Sequence, residues 1–355
     1  MKIEKSWLKL TLMGVAAMIW MSGSSAQDPA APAGDQAPAE GAAAAPEAAP
    51  GAAPEAPAVP VKPRPAEMMP LAAKGLMLDV TTTGERLVAV GDHGDILVST
   101  KGEVWTDWAQ VQVPVRSAFT AVYFADTKNG WAVGHDASIV HTADGGKTWT
   151  LQNFQPDIEK PFLDVLFVDN QHGFAIGAYG LFKETLDSGQ TWTDQKNSVT
   201  EAELHLNCIT RLGNGDLFIA GEQGTLGVSG DQGKTWTKLT SPYDSSLFGA
   251  LPVGDKGAMI YGLRGNVYVT QDVRSNKWTK VNAGTVNSFF GGTTLADGRK
   301  ILVGLNGTLL VTDAQGGSPH LVNTPLSSGL SGVVGFKSGV VTAGESGMFT
   351  IAELK

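Results

Sequence analysis

The chain has one cysteine, Cys208, among 355 residues, so no internal disulfide can form and the core must hold the fold unaided. Only 17% of the residues are charged and 8% aromatic, and no apolar run reaches the ~20 residues that a membrane-crossing helix requires. Basic residues are few, 26 against 35 acidic for a formal net charge of −9, and they are not clustered. That balance excludes a track for a phosphate backbone, so no nucleic-acid partner is expected. Helical periodicity is missing as well. What is abundant is glycine, at 44 residues, which with short apolar runs favours many strands joined by tight turns.

The first 67 residues differ from the rest. Lys2, Lys5 and Lys9 precede an apolar run from Leu10 to Met21, and Ser24-Ser25-Ala26 supplies small residues for cleavage. Residues 1–26 therefore read as a signal peptide, and export is expected, to the periplasm in a Gram-negative cell and otherwise to a lumen or the medium. No cysteine follows the apolar run, which excludes a lipid-modified anchor of bacterial type. Residues 27–67 hold sixteen Ala, ten Pro and no aromatic residue, so they cannot build a core and read as an extended linker.

Beyond residue 67 one short unit recurs seven times: an apolar strand, Gly, two polar residues, usually a second Gly, then another apolar strand. It stands at Val90 to Gly94, Val133 to Ala137, Ile176 to Gly180, Ala220 to Gly224, Tyr261 to Gly265, Val303 to Gly307 and Ala343 to Gly347. The first glycines, 91, 134, 177, 221, 262, 304 and 344, repeat with near-constant spacing. Each copy resolves into four strands, as in Phe162–Val168, Gly173–Ile176, Gly180–Glu184 and Thr191–Gln195. A four-stranded unit of about 42 residues is a propeller blade, and residues 68–355 are expected to form an all-β, seven-bladed β-propeller of antiparallel blades. The last copy stops after its third strand, so the segment Met68–Leu71 is expected to supply the fourth and close the ring, removing an exposed edge.

Between strands three and four a second signature appears, Ser/Thr-x-Asp-x-Gly-x-Thr-Trp, complete at 142–149, 185–192 and 229–236. This is the Asp-box of the BNR repeat. Its Asp (Asp144, Asp187, Asp231) accepts backbone N–H bonds within the turn, Gly permits positive φ, and Trp (Trp149, Trp192, Trp236) packs between blades. Blade one keeps Trp105, and blade five keeps Asp272 and Trp278. The expected role is structural.

These repeats resemble two families. One is the sialidases, whose propellers carry the same Asp-box. The other is the photosystem II stability/assembly factor family, with related proteins in bacteria that lack photosynthesis. The second resemblance covers residues 68–355 and rests on Phe162 to Phe167, His172 to Gly177 and Thr142 to Trp149. It implies a non-enzymatic, monomeric protein-binding scaffold whose partners are subunits of a membrane-protein complex during assembly. Members of that family are described as binding through an arginine-rich patch. This chain has seven arginines in all, so the patch does not carry over. The alternative is an extracellular glycan-binding or glycoside-hydrolysing propeller.

No catalytic set is legible. The sialidase Arg-Ile-Pro motif is absent, and Arg116, Arg211, Arg264, Arg274 and Arg299 occur singly. Asp79 and Asp164 occupy equivalent places early in strand one of blades one and three, so both are expected near the central channel, where two carboxylates could serve a glycosidase. The other blades carry Ala121, Cys208, Gly249, Gly291 and Ser331 at this place. His135 and His141 alone approach metal spacing and read as a surface pair; Cys208 reads as an inert thiol in apolar surroundings. No cofactor and no metal are expected.

Strand alternation assigns the loops to faces. If strand one starts on face A, the hairpins between strands two and three and the blade-to-blade crossovers also lie there, and the Asp-boxes lie on face B. The hairpins vary where the Asp-boxes do not, which makes face A the expected recognition surface. Its candidate partner-binding residues are His93, His135, Tyr179, Glu222, Arg264, Asn306 and Glu345, with Asp79 and Asp164 at the channel mouth.

Overall fold

A computed structural model describes residues 61–99, 107–336 and 339–354. The expected signal, most of the expected linker and the Trp105 turn lie outside the described residues. From Val61 onward the described chain belongs to one compact unit. It folds as seven antiparallel sheets in which strands follow chain order, six of four strands and one of three. The seven first strands, Met77–Thr82, Phe119–Phe124, Phe162–Phe167, Leu206–Arg211, Leu247–Val253, Phe289–Thr294 and Leu330–Phe336, pack side by side around the axis, and the last returns to the first. This is the expected seven-bladed propeller.

Its core lies in the seams between blades rather than within them. Val88, Val90 and Ile96 of blade one meet Phe119, Ala132 and Val140 of blade two, and similar clusters recur around the ring. The closing seam sets Met77, Leu87 and Leu97 against Val334, Val341 and Ala343. Each strand one opens on a fully buried apolar residue, Met77, Phe119, Phe162, Leu206, Leu247, Phe289 or Leu330, each worth roughly 2–3 kcal/mol of burial. Second strands are buried along their whole length, which is why they read as continuous apolar runs.

The repeat glycine has a steric cause. It pairs with that buried residue, and a Cβ there would run into the carbonyl one position earlier, that of Ala118 for Gly134 and of Ser288 for Gly304. The following N–H donates to the same carbonyl, from His135 to Ala118 at 2.9 Å and from Leu305 to Ser288 at 3.0 Å. A bulge follows in every first strand, leaving one extra residue: Leu78, Thr120, Leu163, Asn207, Phe248, Phe290 or Ser331. This register corrects one expectation. Gly332, not Ser331, stands where Asp79 stands in blade one.

Ring closure also departs from expectation. Among the described residues Met68–Leu71 forms no strand, and the last blade has three strands: Leu330–Phe336, Gly339–Gly344 and Gly347–Ile351. The segment is held on blade one instead. The Ala66 N–H donates to the Val113 carbonyl at 3.0 Å, the Met69 N–H donates to the Gln110 side chain at 2.6 Å, and Pro70 has no N–H to give. A short 3₁₀ turn, Ala72–Lys74, then places the Ala73 carbonyl against Gly347. In other blades the crossover carbonyl fills this place, that of Thr200 at Gly180 and that of Leu326 at Gly307. The N-terminal segment thus acts as the seventh crossover.

Candidate partner-binding face and central channel

On face B each complete Asp-box closes on itself. The Asp144 carboxylate accepts the Thr142 hydroxyl at 2.8 Å, the N–H groups of Lys147 and Thr148 at 2.9 and 3.0 Å, and the Thr148 hydroxyl at 2.7 Å. Asp187 and Asp231 repeat the pattern with Thr191 and Thr235. The Thr235 hydroxyl and N–H hold Asp231 down at a pKa of about 2. Trp149 and Trp236 are buried, and the Trp149 indole N–H donates to the Gly146 carbonyl at 3.0 Å. Trp192 is half-buried, a weaker anchor than its repeat position suggested, though its indole still meets the Phe167 ring edge-on.

On face A six hairpins share one backbone form, a 3₁₀ turn whose middle residue is left-handed: His93, Asp136, Tyr179, Gln223, Arg264 or Asn306, at φ between 50° and 57°. Such a conformation points these side chains out of the blade, and His93, Tyr179, Gln223, Arg264 and Asn306 are exposed. Tyr179 meets the His205 ring edge-on at 4.8 Å, with the Lys160 ammonium 6.0 Å from its centroid. Asn306 donates to the Asn287 side chain at 3.2 Å. Two of the expected recognition groups also bond to neighbouring backbone. Glu222 is half-buried and accepts the His205 N–H at 3.1 Å, and Glu345 accepts the Gly329 N–H at 3.1 Å. Burial lowers the pKa of His135, the first residue of its turn. His141 is no surface partner to it, being half-buried against the Trp131 indole at 4.8 Å. Among the described residues no group of three or more His, Cys, Asp or Glu could hold a metal ion.

Exposed apolar side chains concentrate on the same face. Of ten large ones left exposed among the described residues, seven lie in face-A loops: Met68, Met69 and Leu71 before strand one, Ile158 and Val286 in crossovers, Tyr179 and Leu305 in hairpins. Scattered single apolar residues mean little, but their bias to one end of the ring marks a surface suited to contact.

Along the axis a cavity of about 330 Å³ is lined by the seven bulge residues, at the face-A end of the first strands, and by residues that follow them. Asp79 and Asp164 sit one residue further in, as expected. Each ties its blade to the next: Asp79 accepts the Val122 N–H at 3.0 Å and Asp164 the Ile209 N–H at 2.8 Å, besides the N–H of the residue that follows each. Thr120, Asn207 and Ser331 add a second set of stitches, donating to the Phe162, Leu247 and Met77 carbonyls of the neighbouring blades. Burial pushes Asp79 up to about 7, opposed by the Val122 N–H and reinforced by the Asp164 charge. Burial likewise pushes Asp164 up to about 6. Cys208 packs against the apolar cluster of blades four and five, as expected, and also lines the channel near Asp164; burial raises its pKa well above the ordinary value.

Sequence reasoning missed Tyr261. It belongs to a second strand, Gly257–Gly262, yet its hydroxyl reaches the channel by passing over Gly249 and Gly292, where a Cβ would meet the hydroxyl. The available signal was a polar-tipped aromatic in an otherwise apolar strand, opposite Gly249, where blades one, three and four carry Asp or Cys. Phe248 and Phe290 were missed too, because a bulge residue faces the axis only once the register is known.

A seven-bladed ring with hydrogen-bonded Asp-box turns and a variable hairpin face defines an Asp-box β-propeller. The sequence model of the Photosynthesis system II assembly factor YCF48 family matches residues 100–161 and 150–321, and the chain belongs to that family. The photosystem II stability/assembly factor HCF136 of Guillardia theta is 40% identical over 57 residues, a match spanning 15% of this chain and 14% of that protein. Among solved structures, YCF48 bound to D1 peptide superposes with a TM-score of 0.64 at 18% identity, covering 82% of this chain and 97% of the other. YCF48 from Cyanidioschyzon merolae gives 0.62 at 15%, covering 79% and 96%. A streptogramin B lyase gives 0.63 at 11%, covering 79% and 94%, so the fold also carries enzymes.

Proposed function

We propose that this chain is an exported, non-catalytic scaffold that holds a segment of a membrane-protein subunit on face A and assists assembly or function of that subunit's complex. The observation that carries this is the concentration of exposed apolar side chains on the hairpin face. Family membership supports it, as does a relative of the same fold bound to a D1 peptide. The two channel carboxylates favour a scaffold over a glycosidase, since each is engaged by backbone N–H groups that fasten blades together. The basic start and apolar run before Ser24 support export to the periplasm or an equivalent compartment.

Affinity capture from a mild-detergent envelope extract tests the scaffold, alongside cell fractionation of the full chain. Integral-membrane subunits should be retained by the wild type and lost with Tyr179→Ala and Arg264→Glu. Retention of a glycan with no membrane protein would overturn the proposal, and so would a cytoplasmic location.

A further inference from the structure

Three of the seven blades bring bare backbone to the channel wall, where a Cβ would strike the neighbouring blade or the Tyr261 ring. At the level of Asp79 and Asp164, blades five to seven carry Gly249, Gly291 and Gly332. Over Gly249 and Gly292 reaches the hydroxyl of Tyr261, a residue 4% exposed whose oxygen takes part in no hydrogen bond among the described residues. Its electrostatic neighbours are Cys208, Asp164 and Asp79. The residues lining the cavity include no Lys, Arg or His. Two carboxylates and an unpaired phenol thus face one space without a counter-charge; protonation relieves the acids at low pH, and in their ionised form a donor-rich cation is what complements them. At the level of the bulges, Phe248 and Phe290 lie with ring centroids 5.2 Å apart, and Leu78 and Leu163 line the same cavity.

These features select a ligand class. Anions are repelled. A divalent metal would need about six oxygen ligands, whereas both carboxylates already spend lone pairs on backbone N–H groups. A primary ammonium on an aliphatic stem matches each part: three N–H donors for carboxylates and phenol oxygen, and methylene groups for the apolar collar, with aromatic faces favouring the charge. We propose that the central channel is a binding site for a primary alkylammonium group entering from face A, its charge taken by Asp79 and Asp164 and one N–H accepted by the Tyr261 hydroxyl. The group comes either as a lysine side chain of a bound polypeptide or as a free amine. The lysine source rests on the scaffold function proposed above.

Calorimetric titration of the full chain with n-butylammonium, an acetylated lysine amide peptide and the matching norleucine peptide tests this. Saturable binding of the amine and the lysine peptide is expected, with none for norleucine. Asp79→Asn/Asp164→Asn should abolish it, and Tyr261→Phe should weaken it about tenfold. Tyr261→Phe removes no hydrogen bond from the fold, so it keeps the test decisive should the double variant fail to fold. A lysine peptide binding more tightly than butylammonium identifies a polypeptide source, and the reverse a free amine. No saturable binding of either amine, equal binding of norleucine, or affinity unchanged in Tyr261→Phe would overturn the site. Envelope capture reads the scaffold separately: membrane subunits held equally by Tyr261→Phe and wild type, together with failed amine binding, would sink the channel site alone.

Discussion

The carboxylate of Asp79 belongs to blade one and the backbone N–H of Val122 that it accepts, at 3.0 Å, belongs to blade two, so a half-buried acid fastens two blades at the axis. Because burial holds Asp79 near 7 and Asp164 near 6, both are above their unfolded value of about 4. Their stabilising contribution is fully present below about pH 4 and is lost as pH rises through 6 to 7. Asp231, held near 2, acts in the opposite sense and loses its contribution in strong acid. Thermal unfolding should therefore be hardest near pH 5, with a loss on the order of 1–3 kcal/mol by pH 8. Asp79→Asn should flatten that alkaline limb. Stability rising steadily from pH 5 to 8 would contradict the assignment.

The tryptophans should not be equal. Trp149 is buried and hydrogen-bonded, so Trp149→Ala should cost roughly 3–5 kcal/mol in urea unfolding. Trp192 is half-buried, and Trp192→Ala should cost about half as much. Equal losses would mean that repeat position outweighs burial.

The repeat glycine gives a steric test. A Cβ at Gly134 would strike the Ala118 carbonyl, which is fixed by the His135 N–H, so Gly134→Ala should destabilise by about 2 kcal/mol or more. At Gly75 the nearest atom is the Ala72 carbonyl oxygen at 3.2 Å and φ is −79°, so Gly75→Ala should cost less than about 1 kcal/mol. Circular dichroism melts of the two variants settle the comparison.

Partner binding should separate the two faces. Tyr179→Ala and Arg264→Glu alter exposed left-handed turn residues, and each should weaken capture of a membrane client by about 1–2 kcal/mol without lowering the melting temperature. Lys147→Glu and Lys234→Glu, on exposed Asp-box turns of face B, should leave capture unchanged. Glu222 and Glu345 are unsuitable for this test because their carboxylates hold backbone N–H groups. Loss of capture from the face-B pair alone would reverse the assignment.

The sequence made the blade legible because its marks are local. Seven glycines at near-constant spacing record one steric collision repeated seven times, and the Asp-box records one hydrogen-bonded turn. The same periodicity placed Asp79 and Asp164 at the axis. Closure was misread because an edge was assumed to need a strand. The chain uses Ala72–Lys74 as a crossover and buries Met77, Leu87 and Leu97 in the seam with blade seven.

What the sequence determined by itself is the number of blades, the strand order within each and the end of the ring at which the variable turns lie, since all three follow from spacing and alternation. Tertiary structure alone decided what the axis contains. The bulge that turns Phe248 and Phe290 toward the channel appears only in cross-strand register, and so does the alignment of glycines from three blades at the level of Asp79. Tyr261 reaches the channel over Gly249 although its strand reads as core. Contacts between blades about 40 residues or more apart leave no periodic mark on either partner, so only the closed ring reveals them.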